Sequence, residues 1–273
     1  MNVIRGKVAL VTGAASGIGK AIAQALAAEG CELMLVDRDE TGLKRTESEF
    51  AGSGAKLIIH TCDLANPDHI DACIQRAQSE WGGVDILVNN AGMLFFDSFD
   101  SMPKEQWDLL MRVNLDAPAR LIQGLLPAMQ RRQEAHIVNI ASILGLTPKR
   151  KVVAYSASKF GLVGLSLSLR AELSPKIGVS VICPGLIKSN LYSAAKDEGR
   201  STSTRELPTR LVASPELVAR HTINAIRKNK RLVVVTRHAK LARLGHAAIP
   251  GVLDALQMKR NRKRQSVASL TSK

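Results

Sequence analysis

Apolar residues in this chain fall into short unbroken runs, separated by longer stretches in which they recur every three or four positions. The runs are Lys7–Thr12, Glu32–Val36, Lys56–Thr61, Val84–Asn89, His136–Ile140, Val179–Cys183 and Leu232–Val235. A strand with one wet face alternates apolar and polar residues; most of these do not, so both of their faces must be covered. Between the first two runs, Ile18–Glu29 is rich in alanine and stops before Gly30, a residue suited to the position just past a helix end. Pro67–Trp81 places Ile70, Cys73, Ile74 and Ala77 on one helical face. Strands separated by helices need right-handed crossovers, which produce a parallel sheet. The pattern predicts an α/β fold of the Rossmann type: a doubly wound, seven-stranded parallel sheet with helices on both faces.

Composition narrows this picture in two ways. A chain of 273 residues suits one such domain, residues 1–236, followed by a short extension, residues 237–273. Aromatic residues make up only 3%, so the core must be built from Ala, Val, Ile and Leu. Cys31, Cys62, Cys73 and Cys183 form no CxxC pair, and three of them lie in or beside apolar runs, where cysteine behaves as a small buried hydrophobe. No disulfide framework is expected, and a reducing compartment, the cytoplasm, is the expected location. No HxxxH pair suggests zinc, no secretory signal opens the chain, and no run of eighteen apolar residues would span a membrane.

Charge changes the picture at one end only. Of the net +14, about +11 lies between Arg227 and Arg264, where Asp254 is the sole acid, so the rest of the chain is nearly balanced. Within this stretch, Ala239–Met258 carries Leu241, Leu244, Ala248, Ile249, Val252, Leu253 and Leu256 among basic residues, with Pro250-Gly251 interrupting it. Two readings stay open: an amphipathic element lying on an anionic membrane, reinforced by Lys259–Arg264, or a solvated terminus. Nucleic acid is the weaker partner, because the segment has no aromatic residues for stacking.

The candidate chemistry lies at the ends of the strands. Thr12-Gly13-Ala14-Ala15-Ser16-Gly17-Ile18-Gly19 joins the first strand to the first helix. Glycines there permit a tight turn and close approach of backbone to a pyrophosphate, which the free N–H groups of the helix start would hold. Asp37 ends the second strand, where a carboxylate would bond both ribose hydroxyls and repel a 2′-phosphate. With neutral Ser16 in the loop, this favours NAD, although Arg38 could serve the phosphate of NADP. Tyr155 and Lys159 are four apart and share a helix face. A nearby ammonium favours the phenolate of a side chain whose ordinary pKa is about 10. Ser142 follows the fifth strand, where it could hold a substrate oxygen near Tyr155.

Together, TGxxxGxG at Thr12–Gly19, Asn89-Asn90-Ala91-Gly92, and Ser142 with Tyr155-Ser156-Ala157-Ser158-Lys159 resemble the short-chain dehydrogenase/reductase family over roughly residues 5–236. The resemblance implies hydride transfer between a nicotinamide cofactor and an alcohol or carbonyl, with Tyr155 as acid/base and Ser142, Lys159 and Asn114 as its catalytic partners. It further implies cofactor contacts from Gly13, Ser16, Gly17, Ile18, Gly19, Asp37, Arg38, Asn90, Ala91, Gly92, Tyr155 and Lys159. In the turn after the sixth strand, it adds Pro184, Gly185, Ile187 and Ser189 on the nicotinamide side. Asp63 and Leu64 match the pair beside adenine, with helix capping by Asp63 as the plain alternative. Asn114 matches a relay position, its alternative being a bond to a neighbouring helical turn. Relatives often form homo-oligomers through the helices after the fourth and fifth strands. Leu94, Phe95 and Phe96, with Leu144 and Leu146, suggest a hydrophobic substrate, core packing being the other reading of the trio. Leu186–Arg210 is long and polar enough to be a lid. The competing function is a non-catalytic binding protein on the same scaffold, docking through its basic tail.

Overall fold

The computed structural model describes residues 1, 3–50, 56–189, 191, 194–195 and 212–251. Seven strands form one sheet: β1 (Val8–Thr12), β2 (Glu32–Asp37), β3 (Leu57–Thr61), β4 (Ile86–Asn89), β5 (Ala135–Ile140), β6 (Ile177–Cys183) and β7 (Leu232–Val234). Their order is β3-β2-β1-β4-β5-β6-β7, and every pairing is parallel. The chain works outward from β1 in one direction and then returns to continue from β4 in the other, leaving a crevice between β1 and β4 at their carboxyl ends.

The helices are α1 (Gly17–Ala28), α2 (Glu40–Glu49), α3 (Pro67–Trp81), α4 (Lys104–Met111), α5 (Ala117–Arg131), α6 (Val153–Leu173), α7 (Pro215–Arg227) and α8 (Arg237–Ala248). Because strand side chains alternate between faces, each strand feeds two cores. Ala9, Val11, Leu33 and Leu35 pack on one face with Ile22 and Leu26 of α1 and Val218 and Ile226 of α7. Val8, Leu10, Met34 and Val36 pack on the other with Ile70 and Cys73 of α3 and Leu121 and Leu125 of α5. The unbroken apolar runs are therefore sandwiched strands, and all four cysteines are free and buried.

Five strand starts differ from the sequence reading: β1 and β3 each begin one residue later, at Val8 and Leu57, and β4, β5 and β6 also shift. β4 begins at Ile86 rather than Val84, because Asp85 turns its carboxylate to the Val8 amide (2.9 Å) beside Lys7 and Arg132. β6 begins at Ile177 rather than Val179: Gly178 interrupts the apolar run but stays in the ladder. A Cβ on Gly178 would lie 2.2 Å from Nδ1 of the His136 ring, so glycine is demanded there by a neighbouring strand. β5 gains Ala135. At the far end, α8 starts at Arg237 and ends at Ala248, and residues 252–273, including Lys259–Arg264, lie outside the described residues.

Candidate active site

The crevice is stitched by Thr12 and Asn90. Thr12 Oγ1 accepts from the amides of Asn90 (3.0 Å) and Ala91 (3.0 Å), while Asn90 Nδ2 donates to Thr12 O (2.9 Å) and Gly13 O (3.3 Å). This fixes the first turn of the glycine loop against the Asn90-Ala91-Gly92 turn. Gly13 and Gly17 have φ of +68° and +55°, in the region that side chains rarely adopt. Gly19 is needed for a different reason: a Cβ there would sit 2.0 Å from Gly13 O and 2.5 Å from Asn90 Nδ2. Ser16 is exposed at the start of α1 and makes no side-chain cap bond, so the amides of this turn face outward toward an anion site. Ile18 packs partly into the core, and Ser189 lies over the loop, its Cβ within 3.6 Å of the position a Gly17 Cβ would take. A backbone cradle that a Cβ at Gly13 or Gly19 would obstruct, ending on an uncapped helix start, fits a dinucleotide.

Asp37 closes the adenosine side. Its Oδ2 accepts from the Ala15 amide (3.0 Å) and its Oδ1 from the Asp39 amide (3.1 Å). An ionised carboxylate has about four acceptor positions, so two remain for ribose hydroxyls. Arg38 is exposed beside it. On the outer side of the loop, Ala15, Ser16, Gly17, Lys20, Arg45 and Glu49 line a cavity of about 260 Å³, away from Tyr155; its Lys20 is paired with Glu49 at 2.6 Å. Leu64 is buried and Asp63 exposed. The capping alternative for Asp63 is corrected: Asn66 caps α3 by accepting from Asp68 N (2.9 Å), and Asp63 instead accepts from Ala65 N (2.9 Å).

Across the crevice stand the polar residues of β5 and α6. Ser142, only 8% exposed, accepts from Leu144 N (3.1 Å) through its Oγ at the start of the turn Ile143–Gly145, so its hydroxyl proton is directed elsewhere. Tyr155 and Lys159 lie one turn apart on α6, both buried, with Lys159 Nζ 5.8 Å from the centroid of the Tyr155 ring. Lys159 Nζ donates to Ile140 O at the end of β5 (3.0 Å). Burial pulls its pKa down to about 8, with the nearby Cys183 acting weakly in the opposite direction. At neutral pH the ammonium keeps its proton. Gly92 leaves room for this end of Lys159: a Cβ on Gly92 would come within 3.4 Å of Nζ and 3.2 Å of Asn114 Oδ1.

Asn114 sits in a π-helical stretch, Arg112–Asp116, between α4 and α5. Its side chain does not bond a neighbouring turn, which corrects that alternative. Oδ1 accepts from Met93 N (2.8 Å), while Nδ2 donates to Met93 O (2.9 Å) and to Ser158 Oγ (3.1 Å). Ser158 in turn donates to Tyr155 O (2.9 Å). The wide turn thus ties the loop after β4 to the face of α6 that carries Tyr155 and Lys159.

Two residues here escaped the sequence reading. Gly185, after Pro184, is held from below by Thr236 and His238: a Cβ on it would meet Thr236 Oγ1 at 2.3 Å and His238 Nε2 at 2.5 Å. His238 Nε2 also lies 3.4 Å from Leu186 N as an acceptor. Ile187 is buried and bridges to Ala213, with Lys188 N donating to Ala213 O (2.9 Å) and Ala213 N to Leu186 O (2.9 Å). Most of the suggested lid, 190, 192–193 and 196–210, lies outside the described residues.

The apolar side of the site is a separate cluster. Leu94 and Phe95 are buried in it with Tyr155, Met93, Leu110 and Ala195, and Phe96, Leu144 and Leu191 pack against it half-exposed. Leu94 is thus core, and Phe96 and Leu144 remain as candidate wall. Leu146 belongs elsewhere, packing against the cluster of Ala141, Leu162, Val163 and Val181, which removes it from that wall.

Known proteins place this geometry. The family profile described as short chain dehydrogenase matches residues 7–199. The 3-oxoacyl-[acyl-carrier-protein] reductase of Vibrio cholerae is 32% identical over 217 residues, 79% of this chain and 88% of the relative. The crystal structure of a short chain dehydrogenase/reductase from Burkholderia phymatum in complex with NAD superimposes with a TM-score of 0.82 at 28% identity, covering 92% of this chain and 96% of the other. L-sorbose reductase from Gluconobacter frateurii, complexed with NADPH and L-sorbose, gives 0.76 at 31% identity over 86% and 97% of the two chains. A parallel sheet with its crevice between β1 and β4, a glycine cradle there, and relatives matched along most of both chains lead to one assignment: this chain belongs to the short-chain dehydrogenase/reductase family and is an oxidoreductase of the nicotinamide-dependent kind.

Proposed function

We propose that the chain interconverts a secondary alcohol and its ketone, or an aldehyde and its alcohol, with Tyr155 exchanging the proton on the substrate oxygen. The observation that carries this reading is the buried Lys159 ammonium, fixed by Ile140 O and set on the same helix face as Tyr155. A positive charge there stabilises the phenolate that proton exchange requires. Ser142 holds the substrate oxygen through the hydroxyl proton that its bond to Leu144 N leaves available. Asn114, through Met93 and Ser158, keeps the loop after β4 in register with α6. A nicotinamide ring, when bound, would supply or take the hydride. Gly13, Ser16, Gly17, Ile18 and Gly19 would hold the pyrophosphate, with Asp37 and Arg38 at the ribose and Asp63 and Leu64 beside adenine. Asn90, Ala91, Gly92, Pro184, Gly185, Ile187 and Ser189 would surround the nicotinamide end, beside Tyr155 and Lys159.

Asp37 makes NAD the preferred cofactor, since its carboxylate already lies at the loop and would repel a 2′-phosphate. The half-exposed Phe96, Leu144 and Leu191 beside Tyr155 favour a substrate with an apolar arm. Fluorescence titration with NADH and NADPH tests the first step, with NADH expected to bind more tightly. An alcohol series assayed with NAD should give rates that rise with apolar chain length, and equal turnover of small polar sugars would overturn the substrate reading. Tyr155→Phe should keep NADH binding and lose about 10³-fold in turnover. A variant that retains wild-type turnover would remove Tyr155 from the proton step.

A further inference from the structure

The C-terminal helix α8 is packed the wrong way round for a helix that serves only its own domain. It attaches through Ala239, which is fully buried, and through His238 beneath the Gly185 turn. At 100° per residue, Arg237, Lys240, Leu241, Leu244 and Ala248 share the opposite face. All five are exposed. Leu241 is 69% and Leu244 65% exposed, and Ile249, just past the helix end, is 49% exposed. Seven large apolar side chains are exposed among the described residues, and three of them fall in these nine positions. Such grouping marks a contact surface rather than scattered surface leucines.

Charge identifies what fits it. Residues 237–251 contain Arg237, Lys240 and Arg243 and no acid, and the rest of the chain adds Lys259, Arg260, Arg262, Lys263, Arg264 and Lys273 against Asp254 alone. A second copy meeting this face across a two-fold axis would set these cations against their own counterparts. The chain's own residues 252–273 carry the same sign, so covering the face with them brings the same repulsion. Nucleic acid would find no Phe, Tyr or Trp between 237 and 273 to stack on. An anionic lipid surface satisfies both halves of the pattern: leucines enter the acyl boundary while Lys and Arg stems reach up to the phosphates. No helix among the described residues is long and apolar enough to cross a membrane, so the contact would lie in the plane of the bilayer.

We propose that the outer face of α8, Leu241 and Leu244 set among Arg237 and Lys240 with Ile249 just past the helix end, docks this protein on an anionic bilayer. The inner side of the same helix supports the Gly185–Leu186 turn, so the docked surface adjoins the carboxyl edge of the sheet. The proposal is independent of the proton-transfer roles given to Tyr155 and Ser142.

The test is flotation of the full-length chain with phosphatidylcholine vesicles, with and without phosphatidylserine, at low and physiological salt. Binding should require phosphatidylserine and weaken as salt rises. The double variant Leu241→Asp/Leu244→Asp should lose at least about tenfold in partition while its NADH titration stays at the wild-type value. Equal recovery with neutral and anionic vesicles would overturn the proposal. So would a wild-type chain whose oligomer dissociates in the double variant, since a second copy would then be the occupant.

Discussion

The two walls of the crevice are made of different material. On the β1 side the site is backbone: Gly13, Gly17 and Gly19 clear space, and the polar contacts run from Thr12 and Asn90 to main-chain atoms. On the β5–α6 side it is buried side chains: Lys159 on Ile140 O, and Asn114 between Met93 and Ser158. Behind them, a chain runs from Asn89 through Asn139 to Ser166. The backbone wall is a matter of shape: an added Cβ collides at Gly13 and Gly19, and at Gly17 a positive φ disfavours any side chain. The side-chain wall is a matter of charge and hydrogen bonding, and it carries a cost in stability that responds to pH.

The largest expected effect strikes the first wall. Gly19→Ala forces a Cβ to within 2.0 Å of Gly13 O, so unfolding in denaturant should show a loss of about 3 kcal/mol. NADH affinity should fall about 100-fold, because the displaced turn is the cradle proposed for the pyrophosphate. A variant that binds NADH normally would mean that the loop can open without loss, and the contrast between the walls would fail.

The next effect comes from His136, buried in β5 with its Nε2 2.9 Å from Ser180 Oγ. Ser180 donates to Lys230 O, so the ring nitrogen must be the donor in that pair. Burial lowers the His136 pKa from 6.5 to about 3. A lowered folded value means that the unfolded chain binds the proton first, so stability is complete above pH 6.5 and drains away as pH falls toward 3. At pH 5 this amounts to about 2 kcal/mol. Denaturant midpoints compared at pH 7 and pH 5 should differ by that much in the wild type and by clearly less in His136→Gln. Equal acid loss in both would acquit the histidine.

The smallest effect belongs to Lys159 and runs against intuition. Its pKa of about 8, below the ordinary 10.5, means that the folded protein holds the charged form at a cost. Lys159→Met should abolish turnover, yet be about 1–2 kcal/mol more stable at pH 7, because the relieved charge outweighs the lost bond to Ile140 O. Between pH 8 and 10.5 the wild type should gain stability as the folded ammonium releases its proton, and the gap should close. A variant less stable than the wild type at pH 7 would mean that the bond to Ile140 O dominates.

The same contrast decides what could be read from the sequence. The sheet was legible because strands covered on both faces must be apolar throughout, and the cradle because glycine spacing follows directly from backbone geometry. The side-chain wall was legible only at Ser142, Tyr155 and Lys159, where residue types on one helix and one strand end already suggest a proton path. Asn114 could not be understood that way, because its partner Met93 is 21 residues off and a π-helical turn has no apolar period of its own. Thr236 and His238 gave no signal either, since they act through Gly185, which looks like any turn glycine. Leu94 and Phe96 stand two residues apart, yet one is sealed in the core and the other half-exposed, a distinction that only packing makes.

The bridge between Ile187 and Ala213 has a consequence for how this scaffold can change. It joins the two ends of a 25-residue stretch by backbone bonds, next to the half of the crevice where substrate would sit. The closure of that stretch is set at its base and does not depend on which residues lie between. Loop-closure entropy also grows only slowly with length. Pieces of different length and chemistry can therefore be exchanged there while β6 and α7 keep their places.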